Sequence, residues 1–220
     1  AFYVDAGGKL DPASQSVKAW GTEQKGGLWA VGVGGAATGR GAHLGIVDDP
    51  IKDRKEAESP AFISTLRDWY GSTFRTRIEP EGGAIVIVQT RWSESDLVGQ
   101  VLDNEAEVDP QDREGWHVVD FPAIAETWDE RPDLPECVTV EEDWRKPGDP
   151  LCPERYDIQS LSKIRAAVGS REFASLYQQS PRATGGNIIN PDWFQWFTQA
   201  PEKFSRIILS LDCTFTAADT

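Results

Sequence analysis

Asp48 and Asp49 close the short apolar run His43-Leu44-Gly45-Ile46-Val47. The length of that run and its partial β-branching predict a buried strand, so both carboxylates stand at a strand's carboxyl end. Open α/β sheets bind ligands in the crevice outside those ends. An acidic residue there can help hold magnesium on a nucleotide, and a neighbouring carboxylate can orient the attacking water. Asp48 suits the first task and Asp49 the second, although glutamate, one methylene longer, is the commoner residue for it. Asp and Pro are also ordinary turn formers, and Asp48-Asp49-Pro50 taken alone reads first as a strand followed by a turn.

A second strand end strengthens the chemical reading. Ala84-Ile85-Val86-Ile87-Val88 is an unbroken apolar run, which predicts a strand covered on both faces, and Gln89-Thr90-Arg91 follows it. Thr90 can both donate and accept a hydrogen bond. A polar sensor of that kind, on the strand next to the acidic one, reports loss of the γ-phosphate in nucleotide-driven motors. The plainer reading of Thr90 and Arg91 is a strand end with a surface ion pair from Arg91 to Asp96. A helix between the two strands makes a βαβ unit and predicts a parallel sheet.

The glycine-rich stretch before Asp48 does not complete a nucleotide site. Gly34 to Gly41, GGAATGRG, comes near to the phosphate-cradling pattern G-x-x-x-x-G-K-[ST], but Arg40 and Gly41 occupy the lysine and hydroxyl positions. A strand rather than a helix follows it, so it reads as a connection into the acidic strand. Arg40 is either a solvated loop residue or an arginine finger acting on a neighbouring subunit's phosphates. Asp212 ends a late apolar strand, Arg206–Leu211, as carboxylates do that hold a metal pair in two-metal nucleases, and Asp219 could join it. His43, His117 and the cysteines Cys137, Cys152 and Cys213 read as structural.

Composition limits the rest. The chain has 220 residues and a formal charge of −14, which argues against a broad basic nucleic-acid surface but leaves room for a narrow DNA-facing strip. Sparse, odd-numbered cysteines without C-x-x-C argue against structural zinc and suit a reducing cytosol. No apolar run approaches the ~20 residues of a membrane span, and no signal peptide is visible. Methionine is absent and the chain starts at Ala1, so the expectation is a piece of a longer protein, cut at both ends.

Along the chain, residues 1–12 read as loop. Ser16–Thr22 and Gly27–Val33 read as strands joined by Glu23-Gln24-Lys25-Gly26. Ser59 and Pro60 start a helix whose core face is Phe62, Leu66, Trp69, Tyr70, Thr73 and Phe74. Ser93 caps a short helix carrying Leu97, Val98 and Val101, residues 103–115 are acidic and solvated, and Trp116–Ala125 could be a strand. Glu126–Pro153 is irregular, helices follow at Ile158–Val168 and Ser170–Gln179 with a break at Gly169, and Pro181–Gly186 resembles a hinge.

Several strings, in this order and spacing, resemble the large terminase subunits of tailed bacteriophages: GVGGAATGRGAHLGIVDDPIKDRKEAES, RDWYGSTFRTRI, IVIVQTRWSESDLVGQVL, ASLYQQSPRATGG and ILSLDCTFT. The resemblance spans most of residues 27–107 and 157–213. It implies an α/β P-loop-type (RecA/ASCE-like) parallel sheet, incomplete here, over residues 1–107. A helical lid over 108–180, a hinge linker over 181–203 and the first strand of an RNase H-like nuclease over 204–220 would follow. Asp48 then looks like the Walker B magnesium residue, Asp49 the catalytic carboxylate, Thr90 part of the coupling motif, Arg40 the trans-acting finger and Asp212 the first nuclease metal ligand. ATP, Mg2+ and, at the nuclease, Mg2+ or Mn2+ are the implied cofactors. Double-stranded DNA, a portal protein, a small terminase subunit and a pentameric ring of copies are the implied partners, in the cytoplasm of a bacterial host. The family's lysine-bearing loop and its remaining nuclease carboxylates are expected outside these residues. The rival readings are a P-loop motor or helicase without nuclease, and a non-catalytic prophage remnant.

Overall fold

A computed structural model describes residues 9–16, 18–35, 41–127 and 134–181, all within one unit, Ala1–Thr184. Arg40, Asp212, the strand expected at Arg206–Leu211 and almost all of the expected linker lie outside the described residues. The fold is mixed α/β with small sheets, two of them parallel.

The first sheet is a three-stranded antiparallel meander of β1 (Leu10–Gln15), β2 (Ala19–Thr22) and β3 (Gly27–Trp29). β1 was hidden in the sequence by Pro12, which an edge strand tolerates because one row of its amides is unpaired. The strand expected from Ser16 starts only at Ala19, because the Ser16 hydroxyl bonds the Ala19 carbonyl (2.8 Å) and accepts its N–H (2.9 Å). The expected turn at 23–26 is present, with Lys25 at φ 66°.

The acidic strand, β4 (Leu44–Asp48), pairs in parallel with β5 (Ala84–Val88), in register from Leu44↔Ala84 to Asp48↔Val88. The crossover carries a single-turn helix α1 (Arg54–Ala57) and α2 (Pro60–Trp69). α2 begins as the sequence predicts, with Ser59 Oγ accepting the Phe62 N–H at 3.3 Å and Pro60 at the first helical position. It runs on into a π turn, Tyr70–Phe74, where Phe74 meets the rings of Trp69 and Tyr70 at 5.4 and 5.7 Å. Gly45 lets β4 approach this turn: a Cβ there would lie 2.6 Å from the Phe74 ring. α3 (Leu97–Glu107) closes the core, in which Val47, Ile51, Leu66, Trp69, Leu97 and Val101 are buried.

β5 is not covered on both faces as its apolar run predicts. Burial alternates along β4 and β5, leaving Leu44 and Ile46 each 55% exposed and Val88 54% exposed on the side away from the core. An apolar run records only that a strand can be buried on both sides. Among the described residues, helices cover one side and both sheet edges are open.

Asp96 rather than Ser93 caps α3, accepting the Gly99 N–H at 3.1 Å, while residues 93–96 form the turn before it. The segment expected to be acidic and solvated is acidic but not solvated throughout. α3 extends to Glu107, and Glu105, only 2% exposed, accepts the N–H groups of Gly115 (2.7 Å) and Glu114 (3.1 Å). The expected strand at Trp116–Ala125 reduces to β6 (His117–Val118), parallel to β7 (Thr139–Val140), and one bridge from Ile124 to Pro150. α4 (Ile158–Val168) and α5 (Ser170–Leu176) meet at Gly169, φ 88°. Among the described residues no helix is long and apolar enough to cross a membrane.

Tyr70 supplies a pH dependence. Burial, with the charge of Glu114 adding to it, pushes its hydroxyl up to about 12 from an ordinary 10.0. The folded state therefore holds this proton more tightly than the unfolded chain does. Its contribution to stability is complete below pH 10 and is lost as pH rises toward 12. Urea midpoints across that interval are expected to fall less steeply for Tyr70→Phe than for the wild type.

Candidate functional site at the strand ends

The two parallel strands deliver their carboxyl-terminal residues to one rim. Asp48 lies opposite Val88, and the ladder continues one step further, with the Asp49 N–H donating to the Val88 carbonyl at 2.9 Å. Asp49 then leaves the extended region for φ 40°. Few residues with a side chain adopt that conformation, asparagine and aspartate most readily, and such outliers cluster at functional sites. The turn brings the Asp49 carboxylate across the strand gap to accept the Thr90 N–H at 3.1 Å. It is therefore Asp49 that touches Thr90. Asp48 is exposed, on the same face as Leu44 and Ile46 by strand alternation.

Arg91 does pair with Asp96, but not at the surface. Its Nε donates to both carboxylate oxygens, at 3.1 and 2.9 Å, and Asp96 is fully buried. One carboxylate thus anchors the end of β5 and caps α3 together. Gln89, between β5 and Thr90, buries both polar atoms of its amide with no hydrogen-bond partner among the described residues.

The sequence reading missed the residues that frame this rim from elsewhere in the chain. Arg54 of α1 donates to the Trp92 carbonyl at 2.6 Å and to Glu172 of α5 at 2.7 Å, with its guanidinium 5.3 Å from the Trp92 ring centroid. Arg171 pairs with Glu58 at 2.7 Å. Gln179 accepts the Arg91 N–H at 3.1 Å. Three of the strings singled out in the sequence, around DDPIKDRKE, QTRWSESDL and LYQQSP, therefore meet in space. Their co-occurrence was the available signal; their contact was not readable from spacing.

A cleft of about 1860 Å³ borders the site. β5, Gln89, Arg91, residues 115–121 and Gln179 are among the residues that line it. Among the described residues no group of three or more His, Cys, Asp or Glu side chains is placed to hold a metal ion.

No protein-family model and no curated protein matches the chain.

Proposed function

We propose that this chain is a segment of a phage-type terminase large subunit, the part of a DNA-packaging motor that carries the hydrolytic rim of its ATPase. The observation that carries the reading is the Asp49 carboxylate held 3.1 Å from the Thr90 N–H where two parallel strands end together. A P-loop ATPase needs carboxylates and a polar sensor at that place. Asp48 would contact magnesium, Asp49 would orient the attacking water and draw off its proton, and the Thr90 hydroxyl would report the γ-phosphate. The donor set suits magnesium, which is commonly held by one or two carboxylates with phosphate and water oxygens completing its shell. When bound, that ion would neutralise charge on the phosphates.

The sheet supports the same reading. Parallel sheets are ordinarily covered on both faces, yet β4 and β5 leave one apolar face bare and both edges open among the described residues. A phosphate-cradling loop follows a strand of its own, and the open edge of β5 along the cleft offers such a strand a place. In this reading Arg40 acts as the finger in trans and Asp212 is the first metal ligand of an RNase H-like nuclease. Double-stranded DNA, a portal, a small subunit and a ring of copies are the partners.

The complete protein tests it. DNA-stimulated phosphate release is expected, and Asp48→Ala is expected to lower it by about 10²- to 10⁴-fold. Magnesium- or manganese-dependent DNA cleavage lost in Asp212→Ala separates a terminase from a motor without nuclease. Turnover indifferent to Asp48→Ala would refute the ATPase reading.

A further inference from the structure

Arg91 is held at both ends. Its guanidinium is fixed by buried Asp96, and its backbone N–H donates to Gln179 Oε1 at 3.1 Å, across 88 residues of sequence. The preceding N–H, that of Thr90, is held by Asp49 Oδ1 at 3.1 Å. Two successive backbone amides at the rim are thus pinned by side-chain oxygens from opposite directions, one from the end of β4 and one from beyond α5.

Gln179 meets the rim from a turned backbone. Its φ is 54°, in the left-handed region that a residue with a side chain seldom adopts. Its Nε2 donates to the Leu176 carbonyl at 3.2 Å, which orients the amide so that Oε1 faces Arg91. Gln178 beside it faces elsewhere. It accepts the Ile124 N–H (3.0 Å) and donates to the Ile124 carbonyl (2.9 Å) and to Glu126 (2.5 Å). The two glutamines divide the work: Gln178 docks the end of α5 on the 122–126 segment, and Gln179 holds the strand end that carries Thr90.

We propose that Gln179 is a positioning residue of the nucleotide rim, setting the Thr90 hydroxyl relative to the Asp49 carboxylate by fixing the amide that follows Thr90. This rests on the ATPase reading above. A displacement near 1 Å at a reacting centre costs up to about 10²-fold in rate, so the effect belongs in kcat rather than in nucleotide binding.

The test is steady-state ATP turnover by the complete protein, with urea unfolding of each variant alongside. Gln179→Gly keeps the backbone turn at no steric cost and removes the acceptor. It is expected to lower kcat by about 10- to 100-fold with KM for ATP little changed. Gln178→Leu removes three hydrogen bonds but none to the rim. It is expected to lower the urea midpoint and spare kcat. A wild-type kcat in Gln179→Gly, or an equal kcat loss in Gln178→Leu, overturns the role of Gln179. If Asp49→Asn and Gln179→Gly both leave turnover intact, the rim itself has been misread and this proposal falls with it. Loss in the first and not the second overturns only the role of Gln179.

Discussion

Asp49→Asn in the complete protein is expected to lower ATP turnover by about 10²- to 10⁴-fold, the span that a positioned general base contributes. The substitution is close to isosteric and separates chemistry from structure. An asparagine Oδ1 still accepts the Thr90 N–H, and asparagine tolerates the left-handed backbone at φ 40° as well as aspartate does. The fold should therefore survive, with an unchanged urea midpoint. What disappears is the anionic oxygen able to orient a water and take its proton. Asp49→Glu keeps that oxygen one methylene further out and should retain a measurable part of the turnover. If Asp49→Asn turns over ATP like the wild type, Asp49 belongs to a turn and nothing more.

The second large effect is on stability. Asp96 is fully buried, and the Arg91 Nε satisfies both of its oxygens. Arg91→Ala would leave that charge with the Gly99 N–H as its remaining partner among the described residues. Removing one member of a buried pair costs about 3–5 kcal/mol, because the surviving charge stays desolvated. That is a large fraction of the stability of an ordinary domain, and urea unfolding should register it as a much lower midpoint. Adding Asp96→Asn to Arg91→Ala removes the stranded charge while keeping a capping oxygen for α3, so the double variant should regain part of the loss. Equal midpoints for wild type and Arg91→Ala would mean that Asp96 is satisfied without the arginine.

Particular residues explain what the sequence could and could not convey. The acidic strand, the Ser59-Pro60 helix start and the break at Gly169 rest on local signals: periodicity, cap chemistry and a glycine needed at positive φ; the parallel pairing of β4 with β5 follows instead from the helix between them. Those signals survive folding because the residues concerned read their immediate neighbours. The cap of α3 falls on Asp96, which also holds Arg91, a contact that spacing alone does not rank above Ser93. Glu105 reads as solvated in sequence because nothing local announces that two amides of the following loop will close over it. Gln178 and Gln179 carried no chemical signal as residue types, and their importance arises wholly from contacts with distant segments. For the same reason β5 looked fully covered: its sequence records a capacity for burial, while its neighbours decide how much is used.

A double-substitution cycle on ATP turnover by the complete protein, joining Asp49→Asn to Thr90→Val, probes the shared rim most directly. Groups that act on one water and one phosphate as a unit do not lose activity independently. Each single variant is expected to be impaired, and the pair is expected to be little worse than Asp49→Asn alone. Losses that simply multiply, or a Thr90→Val variant as fast as the wild type, would contradict the account.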